Sequence, residues 1–139
     1  MHQIRLAGPW TATPLLNEID PHAPSLGAGV TEPFSFSAPI PIAELFQPFP
    51  AAGRLRLARN FNRPTGLDEA SELGFLVPIG VEAVELNGRE LTLIPTNDQK
   101  SLRAPISTLL VGLNQVRLQV NRNALDHLPS FDGISLAIS

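Results

Sequence analysis

The chain has no cysteine and no tyrosine, and only one tryptophan and one methionine among 139 residues. Without cysteine there are no disulfides, no thiolate metal sites and no cysteine nucleophile, although the compartment stays open. Without tyrosine, and with Trp10 alone, the chain is poor in the flat aromatic surface that sugar binders usually use. A basic excess is also missing. Ten Lys and Arg face 13 Asp and Glu, a formal net charge of −3, which excludes a dedicated nucleic-acid binder. No apolar run approaches the length that spans a bilayer, so no membrane partner is expected. The start, MHQIRLAGPW, is not a basic stretch leading into a long apolar one, so no secretory signal is read and the cytoplasm is the expected compartment.

What the chain does have is punctuation, with 14 prolines and 10 glycines spread along it. Proline cannot donate to a helix or sheet ladder, so few long helices fit between the breaks, whereas short strands joined by irregular loops do. Period-two patterns then place the strands. Ile4 and Leu6 share a face before Gly8-Pro9-Trp10 ends the first run. Residues Thr11 to Pro33 show no clean period and read as a long loop with one extended segment. Phe34 and Phe36 alternate with serines, and Ile42 to Phe46 read as a single helical turn. Leu55, Leu57, Arg59 and Phe61 share one parity of a half-buried strand. LGFLVPI, from Leu73, is nearly all apolar, as a strand covered on both faces would be, with Pro78 at its end. Asn87-Gly88 between alternating runs is a hairpin signal, because a type I′ turn needs positive φ at both central residues. Ile106 to Leu110 read as another helical turn. Val116, Leu118 and Val120 form the clearest alternation, and Ile134, Leu136 and Ile138 repeat it. The sum is about eight short strands in a two-layer antiparallel sandwich; the long helices of a parallel α/β fold are absent.

Four stretches then resemble a known family: IRLAGPW, RLRLARNFNRPTGL, VEAVELNGREL and ISTLLVGLNQVRLQV. Their order and spacing are similar to the N-terminal sugar-binding domain of family 2 glycoside hydrolases, a jelly roll of the galactose-binding-like superfamily. There, a basic-aromatic strand and a proline-containing turn lead to an LNG hairpin, a short helical turn and a G-x-N-x-[VL] strand. The resemblance implies an all-β jelly-roll sandwich over residues 1–139 as one domain, and no activity of its own. The catalytic carboxylates of that family stand on a separate barrel domain. Two departures are visible. Thr92 replaces the Gly that follows the hairpin, and Ala104-Pro105 stand where an aspartate commonly precedes the helical turn.

Each candidate site has a plain structural alternative. Trp10 would stack on a sugar ring or plug one end of the sandwich. Arg59 sits at core parity, where an unpaired guanidinium is costly. It is therefore either paired with Asp68, Glu69 or Glu72, or it anchors a ligand at the strand's exit beside Asn60, Asn62 and Arg63. The three acids do not provide the facing carboxyls that glycosidic hydrolysis needs. Galactose-binding-like domains often hold a loop calcium, which these acids would serve, but a solvated acidic loop is the leading reading and no cofactor is assigned. The stretch Asn123 to Asp132 holds His127 and two aspartates and reads as a surface loop; no Ser–His–Asp set or metal spacing emerges. The expected function is a non-catalytic carbohydrate-binding or glycan-associated module, with Trp10, Arg59, Asn60, Arg63 and Asp98 as ligand contacts. The alternative is an interaction module that packs on a copy of itself or on a partner protein.

Overall fold

The computed structural model describes residues 2–15, 33–50, 52–67, 71–97, 101–106, 110–125 and 127–139. Along them run β1 (His2–Leu6), β2 (Trp10–Pro14), β3 (Phe34–Phe36), β4 (Ile40–Pro41), α1 (Ile42–Phe46), β5 (Arg54–Asn62), β6 (Leu73–Pro78) and β7 (Val81–Leu86). Then follow β8 (Arg89–Leu91), β9 (Ile94–Pro95), β10 (Ser101–Ile106), β11 (Leu113–Asn121), α2 (Arg122–Leu125), β12 (Ser130–Phe131) and β13 (Ile134–Ile138). Five strands form one sheet in the order β1-β13-β6-β10-β9, and six form the other in the order β3-β2-β5-β11-β7-β8. All pairings are antiparallel, with a small β12-β4 ladder beside the two sheets. This is the all-β jelly-roll sandwich that the alternating pattern and the proline content require.

The inward faces carry the apolar parity. Val116, Leu118 and Val120 of β11 are buried, as are Leu55, Leu57 and Phe61 of β5. Facing them are Phe75 and Val77 of β6 and Ile134 and Leu136 of β13. Phe61 meets Phe75 edge to face, ring centroids 5.9 Å apart, and so joins the two layers. Each such side chain contributes about 1.5–3 kcal/mol by leaving water. A charge at Leu118, in the middle of the longest ladder, would therefore break the sheet rather than bend it.

The Asn87-Gly88 turn forms as expected. Asn87 has φ of 52° and Gly88 of 85°, and Leu86 pairs with Arg89 across the hairpin. Pro78 ends β6, and α1 covers the expected helical turn.

The extended segment read within Thr11–Pro33 is found at its start, and two other expectations need correction. Thr11 to Pro14 belong to β2, which pairs with β5 through Ala12 and Leu57; residues 16–32 lie outside the described part. The turn expected over Ile106–Leu110 does not begin at Ile106, which is the last residue of β10; residues 107–109 lie outside the described part. The alternation of β10 is Leu102, Ala104, Ile106, and Pro105 hides it. Proline is tolerated there because β9 pairs only with Leu102 and Arg103, leaving an open edge beyond. Finally, Asn123–Asp132 is not a plain surface loop. It carries the end of α2 and all of β12, and Leu125 and Phe131 are fully buried.

Candidate functional site

The site grows from a mismatch in strand length. Strand β5 is paired with β11 along all nine residues, from Arg54 opposite Asn121 to Asn62 opposite Leu113. On its other side β2 accompanies it only from Leu55 to Ala58. Just before β2 the chain passes through Gly8-Pro9, where Ala7 accepts a hydrogen bond from the Ala38 amide instead of continuing the ladder. Proline has no N–H with which to extend the pairing. Residues Arg59 to Asn62 therefore have, among the described residues, no strand partner on the β2 side, at the rim of the sandwich across from β1.

Two openings flank this stretch. One, of about 350 Å³, lies between the layers, with Ile4 and Leu6 of β1, Leu136 of β13, Phe61 and Pro64 as its apolar wall. The other, of about 470 Å³, lies over Pro9, Thr11, Ser35 and Gln115. Arg59 and Asn60 line both, and Arg63 lines the first. Arg63 is exposed, and its backbone N–H donates to the Gly112 carbonyl at 3.1 Å, which fixes where β5 turns out of the sheet.

Arg59 keeps the inward parity of Leu57 and Phe61 and stands opposite the fully buried Val116. Its Nε and Nη1 atoms are buried with no hydrogen-bond partner. Burial pulls its pKa below the ordinary arginine value. Glu72 does not pair with it; the Glu72 backbone instead exchanges hydrogen bonds with Ser139 at 3.0 and 2.8 Å. Asp68 and Glu69, the other partners expected from the sequence, lie outside the described residues, and so does the ligand candidate Asp98. The rim thus brings Arg59, Asn60 and Arg63 together.

Trp10 is corrected out of the ligand set. It is fully buried, its Nε1 donates to the Leu6 carbonyl at 3.0 Å, and its ring meets Phe131 edge to face at 6.2 Å. With both faces packed, the indole is a plug and offers no platform to a sugar. The reason is local: Trp10 occupies the inward parity of β2 with Ala12, and the inner layer needed its volume.

Two contributors to the rim were not singled out from the sequence. Arg5 lines the 350 Å³ opening, its Nη2 donating to the Asp132 carbonyl at 3.1 Å. Nothing local distinguished it from any outward residue of a short strand. Asn114 is buried behind β5 and ties the start of β11 to Phe61 and to the Asn87 turn. Its Oδ1 accepts from Val111 N at 2.9 Å and Asn87 Nδ2 at 3.1 Å, while its Nδ2 donates to the carbonyls of Val111 at 2.9 Å and Phe61 at 3.4 Å. The G-x-N-x-[VL] spacing marked that position as a motif without giving its role.

Among the described residues no three His, Asp or Glu side chains gather closely enough to hold a metal ion. Two of the three acids considered for calcium lie outside that part, and Glu72 alone provides no cage.

Comparison with solved structures places the fold. A β-glucuronidase from Ruminococcus gnavus, in complex with an N1-substituted uronic isofagomine, superposes with a TM-score of 0.61 at 16% identity, over 99% of this chain and 29% of its own. A β-glycosidase from Bacteroides vulgatus gives 0.58 at 16% identity, over 100% of this chain and 20% of its own. A rhamnosidase from Novosphingobium sp. PP1Y gives 0.58 at 13% identity, over 99% and 15%. The chain has the fold of one domain of these glycoside hydrolases. It spans less than a third of the length of each. No family model and no curated protein matches it.

Proposed function

We propose that this domain is a non-catalytic carbohydrate-binding module whose ligand sits on the rim at Arg59, Asn60 and Arg63. The observation that carries the reading is the Arg59 guanidinium, buried at Nε and Nη1 without an acceptor, at the mouth of an opening with an apolar wall. Buried guanidinium donors without partners cost the scaffold free energy, whereas a ligand acceptor compensates their desolvation. The partly exposed Ile4 and Pro64 of the apolar wall suit the C–H face of a sugar ring, and Asn60 adds a donor and an acceptor for hydroxyls. The fold shared with domains of glycosidases supports a glycan context. The absence of facing carboxyls around the rim, among the described residues, supports a binding rather than a hydrolytic role.

A glycan array followed by an NMR titration of the labelled chain tests this. Amide shifts should cluster at residues 59–63 and at β1, and Asn60→Ala and Arg63→Ala should each weaken binding. No bound glycan, or shifts confined to the opposite end near α1, would remove the reading. An interaction module without a small ligand is favoured by Val111 and Leu113, which are 54% and 63% exposed beside Arg63 and Asn62. Sedimentation of the wild type against Leu113→Asp separates that reading, since only self-association through this strip makes the mass depend on the substitution.

A further inference from the structure

We infer that the rim opening selects an anionic substituent, a carboxylate or a sulfate on a sugar, with Arg59 as its anchor. This rests on the carbohydrate reading above and adds the class of ligand to it. Three of the residues around the 350 Å³ opening are arginines, Arg5, Arg59 and Arg63, and none of the described lining residues is acidic. The chain as a whole carries a net charge of −3, so this positive rim runs against the average field and is a local feature.

Among the described residues no carboxylate is seen paired with these arginines. Arg5 donates to a backbone carbonyl, which satisfies a donor and leaves its charge. The carboxylate of that same residue, Asp132, is turned to the Ser130 hydroxyl at 2.6 Å and is not part of the lining. An ion pair on β5, Arg54 with Glu82 at 2.6 Å, is at the strand's other end. Three arginines line the opening, and in one of them, Arg59, two guanidinium nitrogens are withdrawn from water without an acceptor, which favours an acceptor that carries full charge. A neutral hydroxyl returns only part of the lost hydration, while a planar carboxylate or a sulfate takes two parallel N–H bonds from a guanidinium fork. The opening stands at the small end of the range for small-molecule sites, about 300–1,000 Å³, so it suits one substituted ring rather than a long chain.

Calorimetric titration of the full chain at low and moderate salt, with methyl glucoside, its 6-sulfate, methyl glucuronide, sodium acetate and sodium sulfate, provides the test. We expect one or both charged sugars to bind at least about tenfold more tightly than methyl glucoside, with the advantage shrinking as salt rises. The relative rank of glucuronide and 6-sulfate assigns the anion. Arg59→Met should erase the preference for charge, and Arg59→Lys should retain part of it; a thermal melt confirms that each variant is folded. Neutral and charged sugars bound equally, with Arg59→Met silent, would overturn the anionic assignment and leave the carbohydrate reading standing. Acetate or sulfate binding through Arg59 with no sugar bound would support the anion anchor and overturn the carbohydrate reading. Silence from every probe would overturn both.

Discussion

Replacing Arg59 with methionine should make the unliganded protein more stable. The guanidinium holds Nε and Nη1 in the protein without acceptors, and a buried unsatisfied donor costs about 1–3 kcal/mol. Arg59 as a whole is only half-buried, so part of its charge stays hydrated and the two penalties do not add in full. Methionine keeps the apolar stem against Leu57 and Phe61 and removes the charge, which leaves a net gain of about 1–3 kcal/mol. An unfolding entropy of about 2.1 cal/mol/K per residue, over this chain length, converts each kcal/mol into a shift of roughly 3–4 °C. Differential scanning calorimetry of the two proteins, with a urea midpoint as a second measure, should therefore place the variant about 3–10 °C above the wild type. The gain should reverse when ligand is present, because only the wild type is then stabilised by binding. A variant that melts several degrees below the wild type would mean that the guanidinium is held by partners within the chain. Both the ligand-anchor argument and the anionic assignment would then fail.

Three further outcomes follow from the same geometry. Asn114→Ala removes a side chain that satisfies four groups and should lower stability by about 2–4 kcal/mol, seen as a lower urea midpoint and as faster amide exchange at Asn87 and Val111. An unchanged midpoint would show that water replaces it freely. Gly80→Ala should destabilise by more than about 1 kcal/mol, because Gly80 has φ of 114° and an added Cβ would fall 2.6 Å from Leu125 Cδ2; a neutral result would mean that α2 moves aside at no cost. Glu82 is held below the usual carboxylate range, chiefly by its hydrogen bond from Arg54. Its depressed folded-state pKa makes the contribution present at neutral pH, above the unfolded value, and lost as acid takes the pH down through the folded value. Glu82→Gln should flatten that part of the stability–pH curve by under about 1 kcal/mol, since the pair is solvent-exposed, and identical curves would leave the pair without weight.

The strand alternation, the Asn87-Gly88 turn, the short α1 and the end of β6 at Pro78 could be read from the sequence, because each depends on neighbours within a few residues. Parity on a pleated strand and positive φ in a two-residue turn are local constraints, and the side chains state them directly. The same parity flagged Arg59 as out of place. What it could not give was the outcome. Whether Arg59 finds an acid, and whether Trp10 faces water, depends on strands tens of residues away. Only the early departure of the chain at Gly8-Pro9 leaves Arg59 to Asn62, still paired with β11, without a described strand on the β2 side and opens the rim. Arg5 joined the site, and Leu125 and Phe131 joined the core, for the same reason. Pairing partners, burial and the company a charge keeps are long-range quantities, fixed when two sheets close on each other and not before.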